Sequence, residues 1–138
     1  MIEPTWLTLE DIDVIVRAIE AEFPGHFIEL YPHKIGDLEA GLHRARNKWA
    51  FEYQSDLMIL AAEHAFGIGK AHAFGDGNKR ICFLAATLFL QHNGVDLVEP
   101  EPRFFAQPIK DLMANLMTVD QLAELFEPHA TLIDDDEH

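Results

Sequence analysis

The sequence predicts an all-α fold, a compact single-domain bundle of about six helices. Three observations carry that expectation. Apolar residues recur at helical spacing along nearly the whole chain, cap and stop signals punctuate the pattern, and one segment after a glycine-rich turn is apolar almost all round. Taken in order, Thr8 is placed to cap a first helix, with Asp11 three residues on. Ile12, Ile15, Val16 and Ile19 form its stripe up to about Phe23, and Pro24-Gly25 ends it. Asp37 is placed to cap a second helix running to about Ala50, with Leu38, Leu42 and Ala45 on one side. Ser55 is the expected cap of a third, from Asp56 to about Ala71. The fourth begins near Asn78, carries Ile81, Phe83, Leu84, Leu88, Phe89 and Leu90, and stops at Asn93-Gly94 in a left-handed ending. Its all-round apolarity places it at the centre of the bundle, after the turn. Val95 to Val98 reads as a short extended piece. A fifth helix is expected around Phe104 to Met117, bent or restarted at Pro108. Thr118 and Gln121 then form a capping box for a last helix ending before Pro128.

One domain, 1–138, accounts for the chain, with residues from about 131 onward read as a flexible acidic tail around Asp134-Asp135-Asp136-Glu137. Apolar residues make up 49% of the sequence, enough to close one core without disulfides. Cys82 is the single cysteine, so no intramolecular disulfide forms and a reducing compartment is expected. No apolar run reaches the length of a membrane span, and Met1-Ile2-Glu3-Pro4 lacks the pattern of a secretion signal. A soluble, cytoplasmic protein without a membrane partner is the expectation. The formal net charge of -14 argues against nucleic acid as a partner, because phosphate neutralisation supplies most non-specific affinity.

Residues 70 to 80 carry the chemistry: Lys70-Ala71-His72-Ala73-Phe74-Gly75-Asp76-Gly77-Asn78-Lys79-Arg80. Gly75 and Gly77 flank an aspartate in a tight turn that leads directly into the buried fourth helix. Glycines permit backbone angles that aim successive N–H groups at one point, and the helix N-terminus adds its unpaired donors and positive dipole end. Together they make a cup for an anion. Three of the ten Lys and Arg residues fall in these eleven positions, a local reversal of charge that suits phosphate. Asp76, the sole acid there, suits Mg²⁺ beside phosphates. His72 suits a general base, since imidazole titrates near neutrality, a role worth roughly 10²–10⁴ in rate. Each element alone is ordinary: Gly-Asp-Gly-Asn is a common turn, and a lone histidine is more often a surface residue than a catalyst.

The combination resembles the signature of the Fic/Doc family, His-x-Phe-x-(Asp/Glu)-(Gly/Ala)-Asn followed by Gly-Arg or Lys-Arg. Every defining position is filled, by His72, Phe74, Asp76, Gly77, Asn78, Lys79 and Arg80. Gly36-Asp37-Leu38-Glu39-Ala40-Gly41-Leu42 is similar to the family's upstream helix, and Gln91-His92-Asn93-Gly94-Val95 to the turn after its motif helix. The resemblance implies that His72 takes the proton from a target hydroxyl, that Phe74 anchors the loop in the core, and that Asp76 holds Mg²⁺. It further implies that Gly75, Gly77 and Asn78 contribute to the anion cup, while Lys79 and Arg80 neutralise phosphate charge.

Two departures bear on the reaction. Family members that attach AMP usually have glycine after the asparagine and a second arginine three residues beyond the first. Here Lys79 and Phe83 stand in those positions, as in the Doc (death-on-curing) toxin branch. The Doc resemblance implies a reversed nucleotide with its γ-phosphate towards His72. It therefore implies phosphorylation, with ATP as donor, of a hydroxyl on a target protein such as elongation factor Tu. It also implies an antitoxin acting in trans, since the self-inhibitory pattern of Ser or Thr, three residues, Glu, then Gly or Asn is not found in the sequence. The target-docking flap that precedes the motif helix in the family is expected at Trp49-Ala50-Phe51-Glu52-Tyr53-Gln54, a stretch that core packing explains equally well.

Three other functions compete. One is AMP transfer by a Fic-type nucleotidyltransferase, and another is a binding module of the same fold without activity. The third is a metal hydrolase built on His64, His72 and Asp76, although no His-Glu-x-x-His or paired cysteines support it. His26, His33, His43, His92, His129 and His138 read as scattered residues without a shared role. Gly67-Ile68-Gly69-Lys70 is not a P-loop, because Ala71 stands where Ser or Thr would hold magnesium.

Overall fold

A computed structural model describes residues 2–133, and among them the chain forms six α-helices and one small two-stranded sheet. α1 spans Leu9–Glu22, α2 Ile35–Glu52, α3 Leu57–Ala71, α4 Asn78–His92, α5 Ala106–Met113 and α6 Val119–Phe126. The strands β1 (Val95–Leu97) and β2 (Ala130–Leu132) pair antiparallel, Val95 opposite Leu132 and Leu97 opposite Ala130. The all-α expectation holds. Thr131 and Leu132, expected in the flexible tail, belong instead to β2. Residues 134–138, with most of the expected acidic tail, lie outside the described residues.

Both expected capping boxes form. The Asp11 amide donates to Thr8 Oγ1 (3.3 Å) while Asp11 Oδ2 accepts from the Thr8 amide (2.9 Å). Thr118 and Gln121 make the same reciprocal pair at 3.1 and 2.9 Å. Two other starts differ from expectation. α3 is capped by Asp56, whose Oδ1 accepts from the amides of Met58 (2.8 Å) and Ile59 (3.4 Å), not by Ser55. α2 has no side-chain cap: it continues out of a 3₁₀ turn over Pro32–Lys34, so it starts before Asp37, which sits in its first turn near Lys34. Proline sets φ near the helical value, and the turn it opens runs straight into the helix.

α5 is shorter than expected, and Pro108 neither bends nor breaks it. Pro108 is the third helical residue, where an N–H has no intrahelical acceptor to lose. Asn115, left-handed at φ 62°, follows its end.

α4 shares the centre with α3. Ile81, Cys82, Ala85, Ala86, Phe89 and Leu90 are fully buried, and so are Leu60, Ala61, Ala62, Ala65 and Ile68. Glu63 and His64 break the apolar pattern of α3 in sequence, yet both are inside. Arg44 Nε and Lys48 Nζ reach Glu63 from α2 at 2.8 and 2.9 Å, and His64 packs beside the rings of Phe89 (4.7 Å) and Trp6 (6.2 Å), which stack on each other. α2 docks on α3 through Gly41 and Gly67, whose backbones meet so closely that a Cβ on either would strike the other's carbonyl.

Candidate active site

The motif loop joins the two central helices. α3 ends at Ala71, and His72 follows in the left-handed conformation (φ 47°, ψ 44°), its N–H donating to Gly69 O at 3.3 Å. That conformation is sparsely populated for a residue with a Cβ and turns the chain sharply out of the helix. The His72 side chain is exposed, while Ala73 and Phe74 turn inward and are buried. Gly77, at φ 75°, then opens α4.

A segment remote in sequence holds this loop. The Tyr31 amide donates to Ala73 O and the Gly75 amide to Glu29 O, both at 2.9 Å, around an antiparallel bridge between Leu30 and Phe74. This strand-like segment, residues 28–31, occupies the place expected for 49–54. Trp49 instead packs edge-on against Trp6 (6.1 Å), and Phe51 and Tyr53 point into solvent. Residues 49–52 form the last turn of α2, and Tyr53 ends it in the left-handed conformation.

The anion cup is narrower than expected. Gly75 gives its N–H to Glu29 O, and Gly77 gives its own to Asp76 Oδ1 (2.7 Å), so neither donor is free. The Asn78 side chain also faces the loop, its Nδ2 donating to Phe74 O (2.8 Å) and its buried Oδ1 without a partner. What remains for an anion is the first turn of α4, whose N–H groups have no intrahelical acceptor, with the Lys79 and Arg80 side chains. Lys70 does not contribute. It reaches Met113 O (3.1 Å) and lies over Phe66, tying α3 to the end of α5.

Lys79, Arg80 and Gly77 line a cavity of about 660 Å³ between α1, α4 and α5. Its walls are apolar (Ile19, Phe23, Ile28, Phe83, Ile109), and charged side chains enter it from the ends of α1 and α4, where Glu22 lies 3.9 Å from Arg80, and from the loop before α5, with Glu99 and Arg103. The volume is that of a typical small-molecule site. Phe83, at the position of the family's second arginine, stacks on Phe105 (5.6 Å between centroids) and forms wall instead of charge.

Asp76 is an exposed carboxylate with His26 Nε2 at 2.6 Å from Oδ2. A carboxylate offers about four lone-pair directions, and two are used, by His26 and the Gly77 amide. The remainder fit Mg²⁺ held by one carboxylate, substrate phosphates and water. Among the described residues no three His, Cys, Asp or Glu side chains converge on a metal. The His64–His72–Asp76 site of the hydrolase reading is not formed: His64 is in the core, where burial lowers its pKa to about 3. Burial likewise pushes the Cys82 thiol up to about 12, which removes it as a nucleophile.

The sequence pointed to none of Glu22, His26, Ile28, Glu29 and Tyr31. Pro24-Gly25 marked only a loop, and no local pattern says what that loop touches.

Comparison with known proteins agrees with this geometry. The protein kinase doc of Escherichia phage P1 is 34% identical over 64 residues, which make up 46% of this chain and 51% of that protein. The chain thus spans about half the length of this relative. A family model described as Fic/DOC family matches residues 6–90, from the segment before α1 to within α4 and across the whole motif loop. The chain belongs to the Fic/DOC family.

Proposed function

We propose that the protein transfers the γ-phosphoryl group of a nucleoside triphosphate, ATP in the first instance, to a hydroxyl of a target protein. The observation that carries this is the exposed His72 on the loop that leads into α4, whose first-turn residues Lys79 and Arg80 line the cavity. A small acceptor would call for an enclosed base, whereas a hydroxyl on a protein surface must arrive from outside. The nucleotide fills the cavity, its phosphates turned towards the first turn of α4, Lys79 and Arg80. Phe83 in the wall supports the Doc-type orientation, because the cation that holds the chain the other way round in AMP transfer is replaced by an aromatic stack.

In this reading His72 takes the proton from the acceptor hydroxyl as its oxygen attacks the γ-phosphorus. The bond from that phosphorus to the bridging oxygen breaks, and the nucleoside diphosphate leaves. Arg80 and Lys79 carry the negative charge that moves onto the leaving oxygens. Asp76 would hold Mg²⁺, which would supply further charge neutralisation. The likeness to doc supports a toxin role, and this reading places it in the cytoplasm. That likeness also makes elongation factor Tu the first target to test, and inhibition by an antitoxin from another chain belongs to the same proposal.

The test is label transfer to cell-extract proteins from ATP carrying the label at the α- or the γ-phosphate. Label from γ, reduced roughly 10²–10⁴-fold by His72→Ala, supports the kinase reading. The His72 ring is exposed, so this variant keeps its stability to within about 0.5 kcal/mol. Label from α would make the protein a nucleotidyltransferase, and label from neither would leave the binding-module reading.

A further inference from the structure

The chain leaving α1 contacts the motif loop at one point after another. Ile28 lies against Gly77, Glu29 O takes the Gly75 amide, and His26 meets the carboxylate of Asp76. The last contact is the shortest, 2.6 Å, and it is the one that touches a group with chemistry. Because an ionised carboxylate only accepts, His26 Nε2 is the donor. With the Gly77 amide on Oδ1 and His26 on Oδ2, both oxygens are tied, and the plane of the carboxylate is set from two sides.

His26 is itself held. Its amide donates to Phe23 O (3.0 Å), closing a turn at the end of α1, and two residues later the Ile28 amide donates to Glu20 Oε2 (2.9 Å). The Glu20 side chain thus reaches from α1 to fasten the far side of the loop that carries the imidazole. His26 also lines the cavity with Lys79 and Arg80, so it stands where the phosphates enter.

We propose that His26 is a positioning residue that orients the Asp76 carboxylate for a divalent cation, with Glu20 fastening the segment that presents it. The proposal rests on the reading of Asp76 as a cation ligand. An isolated exposed aspartate samples several rotamers, and a cation must select one. A carboxylate already hydrogen-bonded through both oxygens presents its remaining lone pairs without that loss. Removing such an outer partner typically weakens metal affinity about 10–100-fold.

Mn²⁺, titrated into the full chain with a non-hydrolysable ATP analogue and followed by the spectroscopic signal of the free ion, tests this directly. His26→Ala should weaken Mn²⁺ binding about 10–100-fold, and His26→Gln, which keeps an N–H donor, should restore most of it. Glu20→Ala should weaken binding less than His26→Ala, since the imidazole stays on the chain but its segment is loosened. Thermal melting of each variant checks that it is folded, and Glu20→Ala stands in should His26→Ala fail to fold. Binding by His26→Ala as tight as that of the unaltered chain, or tighter, overturns the proposal. So does a His26→Gln variant as weak as the alanine. If the unaltered chain binds no Mn²⁺, or Asp76→Asn binds it equally well, the reading of Asp76 fails and the positioning role falls with it.

Discussion

His64 sits within α3 with its ring against Phe89 and Trp6, and neither ring nitrogen has a partner. A charged imidazole there would have no water and no counter-ion, which is why its pKa falls to about 3 from the 6.5 of an exposed histidine. The unfolded chain therefore binds a proton on His64 between those two values while the folded chain does not. Stability contributed by the neutral ring is fully present above about pH 6.5 and is lost as the pH falls towards 3, by about 1.4 kcal/mol for each unit. His64→Leu has no such proton to bind. Urea unfolding of the two proteins should show the unaltered chain losing roughly 1.5–2 kcal/mol relative to the variant between pH 6.5 and 5. Parallel pH profiles would mean that His64 is protonated or solvated in the fold. At neutral pH the variant should be no less stable, because leucine leaves no buried donor or acceptor unpaired.

The helices show which local signals can be trusted. Reciprocal pairs such as Thr8 with Asp11 and Thr118 with Gln121 were legible, because a capping box involves only residues three apart and needs no neighbour. Ser55 and Asp56 were not separable that way, since both are good caps in adjacent positions. The structure assigns the cap to Asp56, whose amide is held by Gln54 Oε1 (3.0 Å). Asp56→Ala should cost about 1 kcal/mol (range about 0.5–2) in chemical denaturation, while Ser55→Ala, exposed and outside the cap, should change stability by less than about 0.5 kcal/mol. Equal losses would restore Ser55 to the capping role. The length of α5 was misjudged for a related cause. A proline reads as a helix breaker from sequence, but its effect depends on its distance from the helix start, and the start at Ala106 is not visible locally.

The bundle as a whole depends on close approach between α2 and α3. Gly41 and Gly67 face each other there, so that a methyl group on either would meet the other's backbone, which cannot rotate away as a side chain would. Gly67→Ala should lower stability by about 1–3 kcal/mol, as overpacking does. Gly36→Ala, in the first turn of α2 with nothing near it, should be neutral or stabilise by up to about 1 kcal/mol. Thermal melts of the pair distinguish steric exclusion from mere helix propensity: two stabilised variants would show that α2 and α3 have room to spare. The ion pairs of buried Glu63 with the partly exposed Arg44 and Lys48 cross the same interface, so the two helices are matched in charge as well as in shape.

Much of this protein could be read from residues adjacent along the chain. The helical class, the two capping boxes, the left-handed stop at Gly94 and the motif loop between two buried helices all follow from spacing of a few residues. Such features depend on local dihedral preference and periodicity, which the order of residues specifies directly. The site's wiring is different. Asp76 meets His26, fifty positions away, and Gly75 spends its amide on Glu29. Lys70, inside the motif stretch, turns to Met113. Which donors stay free for a phosphate, and which cations face it, depends on where α1 and α5 come to rest against α4. That is settled by packing of side chains far apart in sequence, and no short-range pattern encodes it.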